Sequence, residues 1–396
     1  MRICTLLFAF LCALIASDAL PARAQLPAAN DLKAVVVLMR HGVRSPTHPG
    51  ELSAYARQPW RQFDVKPGYL TAHGALLAQQ LGEYYRKMYL PGSGCPAQGS
   101  VSIWADVDER TLETGKAIAK GFAPDCGLTL GHSPGDKDPL FDPPGVAKVD
   151  AALSLASLQG AVGGDPNTLA KAYNAQFAAL DEILGCGHAT ACKPISSQPS
   201  TIESKGDGRL ASLSGGIDLA ATAAENLLLE YTDGAPAPGW GRLNDNRLIE
   251  VIQLHAVAKQ LEHNRYAGRA HASNLMAHIL RELQSPPARV SFIVGHDTQL
   301  EELSGMFGLS WLVRGDAMND TPPGSALVYE LHAPANGAQY VRLYFVAQSL
   351  DDMRAGRGTN PQRVPVYVPG CPTLDCPIDT FASVVNGAID PTFVAR

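Results

Sequence analysis

A short apolar run near the start of the chain limits most strongly how it can fold. Residues Ala34 to Met39 are rich in valine and contain no polar side chain. This pattern is typical of a strand that is buried on both faces of a parallel sheet. The polar sequence Arg40-His41-Gly42-Val43-Arg44-Ser45-Pro46 begins where the run stops. Because open α/β sheets bind ligands at the carboxyl ends of their strands, the run predicts an α/β fold with a site directly behind this strand.

Two later apolar runs end in polar residues in the same way. Val101 to Ala105 predicts a second strand, and Arg110 follows it at the start of a predicted helix. Val290 to Val294 predicts a third strand, and the pair His296-Asp297 follows it. Since the ends of parallel strands meet at one edge of a sheet, we expect these residues to share one site with the polar sequence at 40–46.

The middle of the chain has a different pattern from its two ends. Apolar residues recur at helical spacing within 152–158, 169–184, 217–231 and 246–262. Strand-like runs return at 326–332 and 341–346. We therefore predict an α/β sandwich domain with a central, mainly parallel sheet and a helical insertion domain. The predicted parts are 25–145 and 267–396 for the α/β domain and 146–266 for the insertion.

Residues 1–24 have the pattern of a secretory signal peptide. Arg2 supplies a positive charge, Ile3 to Ile15 is apolar but short for a membrane span, and Ala22-Arg23-Ala24 fits a small-residue cleavage site. An uncleaved membrane anchor is the alternative, which the short apolar stretch disfavours. We expect cleavage before Gln25, a periplasmic or secreted location, and no membrane attachment of the mature chain.

The cysteines support export to an oxidising compartment. The chain has 8 cysteines, of which Cys4 and Cys12 lie in the predicted signal peptide. An even number remains, which in an exported chain indicates disulfides. Zinc is the alternative, but no pair has the C-x-x-C spacing of zinc sites. Proximity in the sequence favours the pairs Cys186–Cys192 and Cys371–Cys376, which leaves Cys95–Cys126.

The charge balance restricts the classes of partner. The formal net charge is −6, whereas a protein that binds nucleic acid through its overall field should be basic. A small anionic substrate is compatible with this charge, because a local cluster of arginines can hold a phosphate group. We expect a small phosphorylated substrate, no nucleic-acid partner and a monomeric chain.

The motif Arg-His-Gly-x-Arg-x-Pro at 40–46, with a distant His-Asp pair behind a strand, resembles the histidine acid phosphatase family. The stretches 105–111, 122–126, 238–242 and 319–324 resemble its bacterial phytase and glucose-1-phosphatase branch. The resemblance covers nearly the whole mature chain. It implies a phosphoglycerate-mutase-like α/β domain and a phosphomonoesterase of phytase-like breadth.

The resemblance implies a role for each residue of the predicted site, and the chemistry of phosphate esters agrees with these roles. Arg40, Arg44 and Arg110 would bind the non-bridging oxygens, and His296 would add a donor when protonated. Such a cluster can replace a metal ion, so no metal or cofactor is expected. His41 would attack phosphorus as neutral imidazole and form a phosphohistidine. Asp297 would protonate the leaving oxygen and then activate water.

The acid and the substrate contacts carry further expectations. An aspartic acid that must start protonated works best in acid, so we predict an acidic pH optimum. The resemblance places Thr47, His48, Glu225 and Thr298 at the substrate. The phytase branch often has lysine where this chain has His48, and a histidine supplies the same positive charge only in acid.

Three alternatives remain open. The first is a glucose-1-phosphatase with a narrower cleft. The second is a phosphotransferase of the phosphoglycerate-mutase type, which shares the Arg-His-Gly motif but is disfavoured by the signal peptide and the cysteines. The third is a phosphate-binding protein without activity, which would lack a nucleophile or an acid, and this chain has both His41 and Asp297.

Overall fold

The computed structural model describes residues 31–92, 94–142, 147–186, 192–206 and 208–395. The predicted signal peptide and the predicted boundary between residues 145 and 146 lie outside the described residues. The strands are β1 (Leu32–Arg40), β2 (Val101–Ala105), β3 (Ser200–Glu203), β4 (Ser212–Gly215), β5 (Val290–Gly295), β6 (Ala326–His332), β7 (Tyr340–Ala347), β8 (Gln362–Val366) and β9 (Cys376–Pro377). The α-helices are α1 (Ala72–Tyr89), α2 (Glu109–Phe122), α3 (Ala151–Ala161), α4 (Pro166–Ala172), α5 (Asn174–Leu184), α6 (Gly216–Thr232), α7 (Asp245–Glu262), α8 (Arg265–Gln284), α9 (Asp297–Phe307), α10 (Leu350–Arg354) and α11 (Ile378–Ala388).

The first apolar run forms β1, which lies inside the central sheet. The described residues form a sheet of 7 strands in the order β2-β5-β1-β6-β7-β8, with β9 beside β7. β1 is parallel to β5, and β5 is parallel to β2. The three strands that the sequence predicts to carry the site therefore end at the same edge of the sheet.

The predicted α/β fold is confirmed, but its sheet is mixed and not mainly parallel. β1 pairs with β6, β6 with β7, and β7 with both β8 and β9, all in the antiparallel sense. Only residues 333–339 join β6 to β7. A parallel crossover needs about a dozen residues or more, so this short connection requires an antiparallel pair.

Helices cover both faces of the sheet, and this explains why the first apolar run has no polar residue. Side chains alternate along a strand, so Val35 and Val37 face one side of the sheet and Val36 and Leu38 face the other. The first pair shares a buried apolar cluster with residues of α1 and α2. The second pair shares another with residues of α8, α9 and α11. All four side chains are fully buried, as the sequence predicts.

The helical middle of the chain has its own apolar cluster, built mainly from α5, α6 and α7. The predicted helix over 169–184 is two helices, α4 and α5, because the backbone leaves helical geometry at Tyr173 (φ −107°, ψ 23°). The buried apolar residues of α7 belong to this cluster, whereas most of the buried apolar residues of α8 belong to a cluster on one face of the sheet. The domain boundaries stay a prediction, and this change of cluster supports the one at residue 266.

The described residues form three disulfides. Cys186 pairs with Cys192, at a sequence separation of 6, and Cys371 with Cys376, at a separation of 5. Cys95–Cys126 joins the connection behind α1 to the end of α2, with a Cα–Cα distance of 5.4 Å. These are the pairs that spacing in the sequence favours.

Among the described residues, no helix combines the length and the apolar character that crossing a membrane requires.

Candidate active site

Neighbouring strand ends bring the predicted site residues together. Arg40 ends β1 opposite Gly295, the last residue of β5. The backbone N–H of His41 donates to the Gly295 carbonyl at 2.9 Å, which extends the pairing by one residue. The pair His296-Asp297 follows Gly295 directly, and Arg110 lies in the first turn of α2, behind β2. The site therefore lies at the carboxyl edge of the parallel strands, where the sequence predicts it.

His41 is held as a neutral imidazole with one free ring nitrogen. Its Nδ1 lies 2.8 Å from the carbonyl oxygen of Gly42. A carbonyl only accepts, so Nδ1 carries the hydrogen and Nε2 keeps its lone pair. Burial, followed by the charges of Arg40 and Arg44, lowers the pKa of His41 well below its ordinary value. The imidazole therefore keeps an unprotonated nitrogen in acid solution, as the predicted nucleophile requires.

Gly42 allows the loop that carries His41 to lie close to its supports. A Cβ at this position would stand 3.0 Å from the carbonyl oxygen of Gly74 in α1. The Gly42 N–H also donates to Thr114 Oγ1 in α2 at 3.0 Å. Glycine is therefore required here by close packing against α1.

Two arginines of the motif are already engaged by carboxylates. Arg40 Nη2 lies 2.5 Å from Glu225 Oε1 and 2.9 Å from Asp297 Oδ2. Arg44 Nη2 lies 2.9 Å from the same Glu225 oxygen. Burial tends to raise the pKa of Glu225, but Arg44 and Arg40 together lower it to about 2. The carboxylates thus occupy positions that the oxygens of a bound phosphate could take.

The site has more buried donors than the described residues satisfy. The Nε atoms of Arg40, Arg44 and Arg110 are buried and have no hydrogen-bond partner in the described part of the chain. A buried donor without a partner is costly, and three from arginines of one site are compatible with an anionic ligand. They agree with the phosphate-binding role that the sequence motif predicts.

His296 lies beside His41, with 5.5 Å between the ring centroids. Arg110 Nη2 lies 3.3 Å from its Nδ1, and Asp106 Oδ2 lies 2.7 Å from its Nε2. Arginine only donates, so Nδ1 accepts here and the Nε2–H donates to Asp106. A second proton would turn Nδ1 into a donor, which suits an incoming anion. Asp108 Oδ2 binds the same Nη2 atom of Arg110 at 2.8 Å.

Asp297 is ionised in the free protein. Burial favours the neutral acid, but the charges of Arg40 and other nearby cations outweigh it and hold the pKa of Asp297 well below its ordinary value. The free protein therefore does not hold the proton that the predicted acid needs, and the role of Asp297 as the acid stays a prediction. The sequence shows the residue type, but it does not show the guanidinium at 2.9 Å.

The four predicted substrate contacts lie at different depths. Glu225 binds the arginines from α6. Thr47 and His48 directly follow the motif in the sequence, and both are exposed. Thr47 is near Arg110, since a Cβ at Gly68 would lie 3.3 Å from Thr47 Cγ2 and 3.7 Å from Arg110 Nη1. Thr298 is half-buried, and its N–H donates to Asp297 Oδ1 at 3.0 Å.

Sequence analysis missed two residues of this site. Asp106 orients His296 and stands directly behind β2, a position that could have identified it. His255 on α7 is buried, with its Nδ1 3.3 Å from Asp320 Oδ1. The sequence offers one signal for it: His255, Lys259 and His263 recur every four residues, which places them on one face of that helix.

In the part of the chain that the structure describes, two groups of side chains have the spacing of metal ligands. In each group the ligand atoms lie within 4.8 Å of one another. Arg40, Arg44 and Arg110 already neutralise carboxylates in them, and a metal ion would have to displace these cations. The residues therefore fit a metal poorly, and we assign none. The groups are Asp106, Asp108 and His296, and Glu225, His255 and Asp297.

Known proteins share this fold and nearly the full length of the chain. The family model of the histidine phosphatase superfamily (branch 2) matches residues 31–159. Phytase AppA of Escherichia coli (strain K12) is 33% identical over 98% of each chain. Glucose-1-phosphatase of Providencia rettgeri is 24% identical over 88% of each chain.

A solved structure gives the same result. Hafnia alvei phytase in complex with myo-inositol hexakis sulphate is 29% identical and superposes with a TM-score of 0.86, over 92% of this chain and 99% of that one. The match extends over both the sheet and the helical middle, as the resemblance in the motifs predicts. The chain belongs to branch 2 of the histidine phosphatase superfamily.

Proposed function

We propose that this phosphoric monoester hydrolase works through a phosphohistidine on His41, in a pocket where arginines bind the phosphate. The observation that carries the proposal is the 2.8 Å contact of His41 Nδ1 with the Gly42 carbonyl. It leaves the Nε2 lone pair free in a cluster of cations, which is what attack on an anionic ester needs. We keep Arg40, Arg44, Arg110 and His296 as the proposed phosphate ligands.

The reaction has two steps. The ester phosphate displaces Glu225 and Asp297 from the arginines, and His41 Nε2 attacks phosphorus as the bond to the alcohol oxygen breaks. Asp297 delivers a proton to that oxygen, and the alcohol leaves. Water then attacks the phosphohistidine, Asp297 takes a proton from the water, and inorganic phosphate and free His41 result.

The proton for the first step comes with the substrate. Asp297 is ionised in the free protein, so it has no proton to give before binding. A phosphate monoester loses its second proton near pH 6, so in acid it arrives as a monoanion. When the ester replaces Asp297 at Arg40, the carboxylate loses the cation that held its pKa down and can accept this proton.

Activity is expected to be highest in acid, with its alkaline limit set by the substrate. The lowered pKa of His41 keeps its imidazole neutral as the pH falls, so activity persists below the ordinary histidine range. As the pH rises through about 6, the monoanion disappears and kcat/KM falls. Profiles of kcat/KM for two esters whose second phosphate pKa values differ should therefore differ in their alkaline limbs. A flat profile from about pH 4 to 9 would contradict the role of Asp297.

We propose inositol hexakisphosphate and related esters as substrates. The phytases of E. coli and Hafnia alvei are more similar to this chain than the glucose-1-phosphatase is. The test compares kcat/KM on inositol hexakisphosphate and on glucose 1-phosphate at acidic pH. We expect the inositol ester to be preferred. A strong preference for glucose 1-phosphate would support the alternative, a glucose-1-phosphatase.

The proposed binding of phosphate by Arg40, Arg44 and Arg110 leads to a prediction about inhibitors. Because arginines hold the phosphate, incubation with EDTA should leave hydrolysis of p-nitrophenyl phosphate intact. Vanadate should inhibit, since it resembles the five-coordinate phosphorus of the transfer. Loss of activity with EDTA, and its return with a divalent cation, would overturn the proposal that arginines and not a metal ion bind the phosphate.

We further propose that the mature chain is a periplasmic or secreted monomer. The three disulfides support an oxidising compartment. They also disfavour the alternative of a cytosolic phosphotransferase. Chromatography of the mature chain would test the monomer.

A further inference from the structure

Binding of a phosphate at this site would leave two buried carboxylates without their arginine partners. Glu225 and Asp297 are ionised, and both bind Arg40 in the free protein. A phosphate that takes Arg40 and Arg44 adds negative charge and removes the partners of both carboxylates. A buried charge left without a partner strongly disfavours binding. Another cation near these carboxylates would reduce that penalty.

His255 is the side chain in the right position. It is buried on α7, and one of its ring nitrogens lies within 4.8 Å of a carboxylate oxygen of Glu225 and of Asp297. Its Nδ1 lies 3.3 Å from Asp320 Oδ1, in the loop before β6. A phosphate bound to Arg40 would replace the carboxylate oxygens there and would leave the His255 ring in place, because that ring lies among the carboxylates.

The charged groups around His255 favour its protonated form. Burial lowers its pKa, but the hydrogen bond to Asp320 and the charges of Asp320, Glu225 and Glu301 outweigh it and raise the pKa. Asp297 and Glu301 face it from α9, Glu225 from α6 and Asp320 from its loop, with Arg40 beyond the carboxylates. In acid the imidazolium therefore stands among carboxylates.

We propose that His255 is a positioning residue that takes over Glu225 when a phosphate displaces this carboxylate from Arg40 and Arg44. The exchange keeps Glu225 beside a cation in both states, while Asp297 is neutralised by the proton that the ester brings. It also couples the protonation of His255 to anion affinity, since a neutral imidazole cannot balance the displaced charges. The inference rests on the proposed function, in which these arginines bind the substrate phosphate.

The test measures anion binding directly, with the mature disulfide-bonded protein and inorganic sulfate as the probe. Sulfate stays doubly charged across the acidic and neutral range, so any pH dependence of its Kd comes from the protein. Calorimetry at several pH values should show about 10-fold weaker binding to His255→Gln than to the wild type in acid. The difference should shrink as the pH rises and the wild-type imidazole loses its proton.

His271→Gln is the matched control. His271 also pairs with a buried carboxylate, Glu302, at 3.0 Å, but its own side chain is partly exposed and the pair is not part of the site. We expect the control to lose stability without a change in sulfate Kd. An equal loss of affinity in both variants, or an unchanged Kd in His255→Gln, would overturn the inference.

A second variant covers the case in which His255→Gln does not fold. Asp320→Asn removes the carboxylate that favours the imidazolium, so the pH dependence of sulfate binding should move to lower pH. No movement would contradict the inference. The proposed function is tested separately. If the wild type hydrolyses phosphate esters and binds sulfate, the proposed function stands even where the inference about His255 fails.

Discussion

Replacing His41 with alanine is expected to lower kcat for p-nitrophenyl phosphate by a factor on the order of 10⁴ or more. Removing the nucleophile of a covalent mechanism costs this much in other hydrolases, and what remains comes from the other groups of the site. The arginines would still bind phosphate in this variant, so the loss should appear in kcat and not in KM. Steady-state kinetics at acidic pH would measure the split.

Two further observations make the His41→Ala result specific. The variant leaves a hole beside Arg40 and Arg44, and added imidazole should restore part of the turnover by attacking the ester in place of the side chain. His73→Ala is the control, since this histidine contacts the Met353 carbonyl from α1, outside the site. Full activity in His41→Ala, or an equal loss in the control, would refute the proposed nucleophile.

The strands of this site were predictable because a strand buried on both faces carries a simple signal. Each residue of Ala34–Met39 contacts one helical layer or the other, so none can be polar. A similar pattern, interrupted by Ser291, identified β5, whereas β2 is an edge strand in which Trp104 is exposed. The direction of β6 to β9 is not encoded in this pattern. For β6 and β7 it follows from connection length, and the short link at 333–339 was the signal that the prediction did not use.

Contacts between the sheet and the helical middle were harder to predict. Glu225 was reached only through resemblance, because helical spacing places it on α6 but does not say that two arginines from β1 and its loop meet it. His255 was missed, since a histidine on a largely buried helix is usually structural. Its neighbours come from α6, α9 and a loop, so only the folded chain shows their charges together.

The ionisation of Asp297 leads to the second large prediction, because this residue carries the proton and also competes for Arg40. Asp297→Asn should slow hydrolysis of glucose 1-phosphate by about 10²–10⁴-fold in kcat, the range for loss of a general acid. For p-nitrophenyl phosphate the loss should be much smaller, since nitrophenolate leaves without a proton. KM should fall for both, because a neutral amide releases the guanidinium that the carboxylate holds at 2.9 Å.

Glu225→Gln separates these two effects. It removes a carboxylate from the same guanidinium of Arg40 but leaves the acid in place. KM should fall as in Asp297→Asn, while the ratio of kcat values for the two esters should stay near that of the wild type. If both variants changed that ratio equally, the proton would not come from Asp297, and the carboxylates would act only through their charge. If only Asp297→Asn changed it, the group that competes with phosphate in the free protein would also be the acid that expels the alcohol.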